Sequence, residues 1–398
     1  MRIALVHDWL NNLGGAERVL IELHNIFPKA PIYALFYNKK FVREFLPEAE
    51  IKTSSLQKIP FITKIYKYLF FLMPMAIESF DLSAFDVVIS SSVIFSKGLV
   101  LKPRTKHVCY CYSPTRFLWD RHFEYENQSF LAMLSRHLLR IWDRQASDRV
   151  DEFVAISKHV QSRIKKYYGK ESKLIYPPTM FGDIVNRGGP RAGTPVFGEG
   201  SIGRTKSVVD NGISIAWRSS KTEPVRGAAG TGPRHDFYLI VSRLFPHKNI
   251  DVAIDAFNKL GYELVIIGDG PAKNDLKNMA GKNVKILGYK NDIEVMDYYR
   301  NCKAFIMPQE EDFGLTPLEA MSFGKPVLAL RKGGALETMV EGMTGEFFDD
   351  PIPEALANGI RRLNENYSNY SPLVIQKWAE KFSRERFREE VLKLVDTT

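Results

Sequence analysis

Short apolar runs, each closed by turn residues, recur along the chain and are separated by stretches whose apolar positions repeat every three to four residues. In the first half the runs are RIALVHD, DVVISSS, HVCYCYSP, EFVAIS and KLIYPP; in the second they are FYLIV, ELVIIG, VKILG, KAFIM and PVLAL. Continuous apolar runs of this length between turn signals predict buried strands. The helical period predicts helices in AERVLIELHNIF, residues 127–150, HVQSRIKKYYG (with Ser157 as its cap) and NIDVAIDAFNKL, with further starts at Ala272, Asp292, Pro317 and Ala335. Strands alternating with helices predict an α/β protein whose parallel sheets carry helices on both faces.

Two amphipathic stretches are less plain. In residues 127–150 the positions Phe130, Leu134, Leu138 and Ile141 form a stripe expected to face the core. Wound as a helix from Phe61, the other places Phe61, Ile62, Ile65, Leu69 and Leu72 on one face and Lys64 and Lys67 on the other. No acidic residue occurs between Ile51 and Ile77. The segment is therefore either a core-facing helix with a solvated side or an interfacial patch. In the second case Lys52, Lys58, Lys64 and Lys67 meet anionic head groups, and Tyr66, Tyr68, Phe70 and Phe71 dip into the boundary.

Candidate chemistry centres on Pro308 to Gly324, PQEEDFGLTPLEAMSFG, where a buried strand turns into a helix. Thr316 is expected as the N-cap and Pro317 as the first helical residue, with Glu319 closing a capping box. Such a turn aims unpaired backbone N–H groups and the positive end of a helix at an anion, and Gly314 lets that anion come close. Glu311 and Glu319 frame it. A second stretch, SRLFPHKN, carries Arg243 and Lys248 out of the carboxyl end of FYLIV, the edge at which open α/β sheets bind ligands. An arginine and a lysine there suit the developing charge of a diphosphate leaving group.

Taken together, SRLFPHKN, IIGDGP, LGY and EDFGLTPLE followed by KPVLAL and GGALE resemble the retaining glycosyltransferases of family 4, whose fold is called GT-B. The resemblance covers residues 1–178 and 237–372 and is more specific in the second half. It implies two Rossmann-like domains whose parallel sheets face a cleft. By it, Arg243 and Lys248 hold the donor diphosphate, Glu319 the nucleotide ribose and Glu311 the transferred sugar. Asp312, Phe313, Gly314, Leu315, Thr316 and Gly268 fall on the donor side, as do Leu287 and Tyr289, where the family holds the base through backbone groups. Asp312 stands where many members carry glycine. Gly14 and Gly15, a double-glycine turn between strand and helix, face the donor phosphates in the family. CYSPTRFLWD is similar to a signature of O-antigen mannosyltransferases, with Tyr112 in place of a histidine. Arg116 and Asp120 then line the acceptor side.

Composition narrows the setting. With 398 residues, 45% hydrophobic and 25% charged, the chain is long enough for two domains with full cores. The longest membrane-span candidate, LFFLMPMAI, is broken by Pro74, and MRIALVHD reads as a strand and not a signal peptide, so a cytoplasmic protein is expected. Cys109, Cys111 and Cys302 show no CxxC pair and no further ligands at metal spacing, so neither disulfide nor metal is expected. The net charge of +9 points to an anionic partner, a membrane face or a phosphorylated acceptor. Nucleic acid is not expected, since no nucleic-acid motif appears.

Residues 179–236 break the pattern, holding eleven of the 27 glycines and six arginines against two lysines, with no lasting period. They are expected to be a flexible insertion or linker between an acceptor domain, 1–178, completed by a tail helix at 373–398, and a donor domain, 237–372. The resemblance implies transfer of a hexose, mannose from GDP-mannose above others, without a metal cofactor. The acceptor is a glycan or polyprenyl-linked saccharide of a cell-surface polysaccharide, met at the inner face of the cell membrane. A catalytically lapsed nucleotide-sugar-binding scaffold and a sugar-nucleotide 2-epimerase are the alternatives.

Overall fold

The computed structural model describes residues 1–120, 129–181 and 237–396, with the backbone of two short strands, β8 (Val209–Asp210) and β9 (Ile213–Ser214), between the last two ranges. The expected insertion otherwise lies outside the described residues from 182 onward. Thr179 to Phe181, which were expected to open it, are packed: the Thr179 N–H donates to the Phe382 carbonyl at 2.8 Å, and the Phe181 ring lies 6.1 Å from that of Tyr299. The sequence change at Thr179 is one of composition, whereas the apolar pair Met180 and Phe181 still finds a core.

Two parallel sheets form the frame. The first is ordered β3-β2-β1-β4-β5-β6-β7, from β1 (Ile3–His7), β2 (Ile32–Ala34), β3 (Ile51–Thr53), β4 (Val87–Ser92), β5 (Lys106–Cys111), β6 (Glu152–Ala155) and β7 (Ser172–Leu174). The second is ordered β12-β11-β10-β13-β14-β15, from β10 (Phe237–Val241), β11 (Glu263–Ile267), β12 (Val284–Gly288), β13 (Ala304–Met307), β14 (Val327–Leu330) and β15 (Gly345–Phe348). Each sheet reverses its strand order once, between β1 and β4 and between β10 and β13. At such reversals the connections leave to opposite sides and open a crevice beyond the strand ends. In the first sheet, buried Asp8 pins it by accepting the backbone N–H groups of Val93, Ile94, Phe95 and Ser96 at 2.7–2.8 Å. In the second, the Asn249 amide donates to the Pro308 carbonyl at 3.1 Å and ties the two loops together.

The tail divides. Helix Pro372–Ala379 packs on the Leu315–Ser322 helix of the second domain, and helix Arg384–Asp396 crosses back onto Gly15–Ile26 of the first. Phe387 meets Tyr110 edge-on at 5.8 Å.

Three expectations are corrected. The helix after β13 spans Leu315–Ser322, with Gly314 at its cap in the left-handed region (φ 91°), so Thr316 lies inside the first turn and makes no cap bond. A glycine cap leaves no side chain for a capping box, and Glu319 bonds elsewhere. The segment from Phe61 is a broken path, α over Ile62–Ile65, 3-10 over Tyr66–Leu72 and α over Met73–Glu78. Phe61 caps it at φ 56° and is 74% exposed, while Ile62 is buried. In helix Phe130–Ser147 the stripe Phe130, Leu134, Leu138 and Ile141 faces outward, Phe130 being 76% and Leu138 57% exposed.

The reason for the last is a buried charge. Asp143 takes the Lys97 ammonium at 2.7 Å, the Thr115 hydroxyl at 2.6 Å, the Trp119 indole N–H at 2.8 Å and the Tyr168 hydroxyl at 2.8 Å. A carboxylate with four donors must stay inside, which turns Leu139, Asp143, Ala146 and Ser147 inward. That face lies about 170° round the helix from the apolar stripe, on the opposite side. The same hub fixes the loop after β5. Asp143→Ala leaves the Lys97 charge buried and unpaired, and the expected loss in urea unfolding is about 3–5 kcal/mol.

Candidate active site

Beyond β10 the chain runs through Ser242 and Arg243 into a 3-10 turn, Pro246–Lys248, which buries Lys248. Beyond β13 it runs through Gln309 and Glu310 to Glu311. The strand reversal sets these two ends side by side, and the Lys248 ammonium donates to Glu311 Oε1 at 2.6 Å, joined by the Gln309 amide at 2.9 Å. Burial opposes ionisation of Glu311. The Lys248 charge and hydrogen bond, the Gln309 bond and the Arg243 charge outweigh it and hold the carboxyl below its ordinary pKa. Glu311 is thus a fixed anion beside a fixed cation.

Glu319 is buried one helical turn into Leu315–Ser322 and accepts the Tyr299 hydroxyl at 2.9 Å. Burial pushes its carboxyl above the ordinary pKa, helped by nearby Asp292, with Arg18 and the Tyr299 hydroxyl pulling the other way. Arg18 belongs to the first domain and reaches across to Asp292 with a two-pronged pair at 2.9 and 2.5 Å.

The Gly14–Gly15 turn closes on this side. The Glu17 carboxylate accepts the Gly14 N–H at 2.9 Å, and a Cβ on Gly15 would stand 3.3 Å from Leu315, so the double glycine admits the facing domain. Tyr112 lies beneath: its hydroxyl donates to the Ala16 carbonyl at 3.0 Å and meets Ser91 Oγ at 2.9 Å. Burial raises that phenol well above its ordinary pKa. Ser91 is shared with the buried His7, whose Nδ1 donates to the Ser91 carbonyl at 2.8 Å. Burial works against the His7 imidazolium, yet Glu17, by hydrogen bond and charge, brings its pKa above the ordinary value.

The remaining expected residues are placed as follows. Phe313 turns its ring into a cluster with Tyr176 at 5.5 Å and Phe382 at 5.7 Å. Gly268 sits where a Cβ would strike the Ser242 carbonyl, a close approach of strand ends. Leu287 packs on the core, and Tyr289 is exposed. Arg116 and Asp120 are joined at 3.5 Å, and Arg116 also reaches Asp312 at 3.3 Å. Among the described residues no group of three or more His, Cys, Asp or Glu side chains is arranged to hold a metal.

Arg18, Asp292, Tyr299 and Arg163 were not singled out from the sequence. Arg18 carried a signal, a cation near the positive end of its helix, where it opposes the dipole and so implies a partner elsewhere. Tyr299 carried none, being an ordinary core aromatic by its pattern.

Two facing parallel sheets, each with its crevice turned to the other and a cation-rich strand edge in the second, define a two-domain sugar-nucleotide transferase architecture. A model described as Glycosyltransferase Family 4 matches residues 13–179, and one described as Glycosyl transferases group 1 matches residues 224–380. The chain belongs to the family 4 type of GT-B glycosyltransferases. It is 22% identical to an alpha-1,3/1,6-mannosyltransferase ALG2 of Dictyostelium discoideum, over 80% of this chain and 76% of that protein. It is 32% identical to an uncharacterized glycosyltransferase of Methanocaldococcus jannaschii, over 33% of this chain and 39% of that protein's length. Among solved structures it is similar to HepE of Anabaena in complex with UDP (TM-score 0.65, 16% identity, all of both chains). It is also similar to a sucrose-phosphate synthase of Thermosynechococcus elongatus (TM-score 0.67, 14% identity, 100% of this chain and 99% of that one).

Because Lys248 holds the Glu311 pKa down, the pair adds stability that is present above the ordinary carboxyl range and is lost as pH falls through the folded-state value. Lys248→Met removes it. The stability gap between the wild type and this variant, read from urea midpoints, is expected to be widest near neutral pH and to narrow in acid; a gap independent of pH would contradict the pairing.

Proposed function

We propose that this chain is a retaining hexosyltransferase, moving mannose from GDP-mannose to a glycan or polyprenyl-linked saccharide in cell-surface polysaccharide synthesis. The observation that carries the reading is the Lys248–Glu311 pair at the strand reversal, with Arg243 beside it and the Gly14–Gly15 turn opposite. In this reading the bond from the anomeric carbon to the diphosphate breaks toward Arg243, Lys248 and the backbone of Gly314 to Thr316. The acceptor hydroxyl attacks from the same face, forms the new glycosidic bond and passes its proton to the departing phosphate oxygen. The two cations neutralise the charge that develops, so the reaction calls for no metal ion. Mannose is favoured by the mannosyltransferase relatives; the UDP bound by HepE makes a uridine donor the competing choice.

A thermal-shift panel of GDP-mannose, UDP-glucose, UDP-N-acetylglucosamine and the free diphosphates tests this. At about a hundred times its dissociation constant a donor stabilises the fold by about 2.7 kcal/mol. The expected result is a shift with GDP-mannose that disappears in Arg243→Ala, together with an α-linked product by NMR. A shift with a uridine donor reassigns the base, and no shift at all favours the lapsed scaffold. Conversion of the sugar without acceptor identifies an epimerase.

We infer further that the first domain rests on the anionic inner face of the membrane. Among the described residues no helix is long and apolar enough to cross a bilayer. What supports surface docking is the outward apolar pair of segments: Phe61, Tyr68, Phe71 and Met75 on one, Phe130, Leu131, Leu134 and Leu138 on the other. The Trp142 indole joins them by donating to Glu78 at 2.8 Å. Lys64 and Lys67 are exposed on the same segment as Phe61, Tyr68 and Phe71, the pattern of an interfacial surface. In flotation assays the protein is expected to rise with phosphatidylglycerol vesicles and not with pure phosphatidylcholine. Leu134→Glu with Leu138→Glu is expected to abolish it; unchanged flotation of that variant would move the docking surface elsewhere.

A further inference from the structure

Glu311 forms an isolated bridge with Gly333, Asp312 stands in the bend that follows, and the two neighbouring carboxylates serve different domains. Glu311 turns to Lys248 within its own domain. Asp312 turns across the cleft: its carboxylate takes Arg163 at 2.7 Å and Arg116 at 3.3 Å, with His159 Nε2 at 3.8 Å. Its carbonyl accepts the Ser157 hydroxyl at 2.6 Å, the same hydroxyl oxygen that caps helix Lys158–Tyr168 by accepting the Val160 N–H at 3.0 Å. Arg163 is buried and braced from behind by Asp120 at 2.7 Å.

A second contact fixes the same loop. The Glu311 carbonyl accepts the Gly334 N–H at 2.8 Å, and a Cβ on Gly334 would fall 2.3 Å from Phe313, so the 333–337 turn lies tight against the loop. From that turn Glu337 accepts the backbone N–H groups of Lys158 and His159 at 2.8 and 3.0 Å, at the positive end of the helix that carries Arg163. One helix of the first domain is thus held by two acids of the second, Glu337 at its first two backbone N–H groups and Asp312 at Arg163 and the cap Ser157.

We propose that Asp312 and Arg163 are positioning residues, a cross-domain latch that holds Glu311 in register with Lys248 and makes its placement depend on how the two domains sit together. The side chain of Asp312 then serves closure and not the donor. The assignment of a catalytic outcome to the latch rests on the proposed transfer reaction; the latch itself does not. The cluster balances its charge, Arg116 and Arg163 against Asp120 and Asp312, so neutralising Asp312 leaves Arg163 with Asp120 and does not strand it.

The test has two readouts on the full chain. All three native cysteines are buried, so spin labels can be placed at Glu48→Cys and Lys282→Cys, both exposed and in different domains. The interdomain distance distribution is expected to be narrow in the parent and broadened in Asp312→Asn and Arg163→Gln, with Arg163→Lys intermediate. With GDP-mannose and acceptor, each single variant is expected to lower kcat about tenfold while donor KM stays within about twofold, and the double variant is expected to be no slower than the worse single one. An unchanged distance distribution overturns the latch. Broadened distances with unchanged kcat, or rate losses that multiply in the double variant, overturn its role in positioning Glu311. Broadened distances in a chain that transfers no sugar uphold the latch and sink the transfer reaction.

Discussion

The two reversals of strand order govern the rest of the molecule. In a parallel sheet all carboxyl ends lie on one edge, and where the order reverses the two neighbouring loops leave to opposite faces and cannot fill the space between them. Asp8 and its four N–H donors hold that gap in the first sheet, and the Asn249 bond to the Pro308 carbonyl holds it in the second. Because β10 and β13 are paired, Lys248 and Glu311, 63 positions apart, come within 2.6 Å. Because β1 and β4 are paired, His7, Ser91 and Tyr112 stack beneath the Gly14–Gly15 turn. The cleft is the meeting of these two crevices.

Charge decides several matters that apolar pattern leaves open. Asp143 rotates helix Phe130–Ser147 so that its best apolar stripe faces out, an arrangement that burial of leucines alone would reverse. The cost is exposed apolar surface, which a bilayer interface would cover. Across the cleft, Arg18 to Asp292 and Arg163 to Asp312 join domains through partly buried pairs, whose geometry is demanding and whose strength is lost with small displacements. Such contacts favour a definite closed arrangement over general adhesion. The aromatic cluster of Tyr176, Phe313 and Phe382 gathers the loop, the exit of the first domain and the crossing of the tail at a single place.

Reading the chain without coordinates recovered the alternation of strands and helices, the cap at Ser157 and the two strand-edge stretches that carry Arg243, Lys248, Glu311 and Glu319. It passed over β2, β3 and β15: IKT and GEFF each carry a charged residue, and IYA runs on into further apolar residues, so none stands out as a closed apolar run. It misplaced the cap of Leu315–Ser322, since Thr316-Pro317 is a strong local start signal while the left-handed turn at Gly314 is a choice made by the surrounding loop.

What the sequence determined by itself is therefore what is local: buried strands, helix periods, glycines where backbone must turn or approach, and charged residues at strand ends. Which strands pair, and so which charges meet, was decided by the tertiary structure. So was the direction a given helix face turns, because Asp143 answers to Lys97, Thr115, Trp119 and Tyr168, none of them within one helical turn of it in the chain. The physical reason is the same in each case. A hydrophobic period shows that a side is buried, but the free energy of placing a charge depends on partners that only folding brings near.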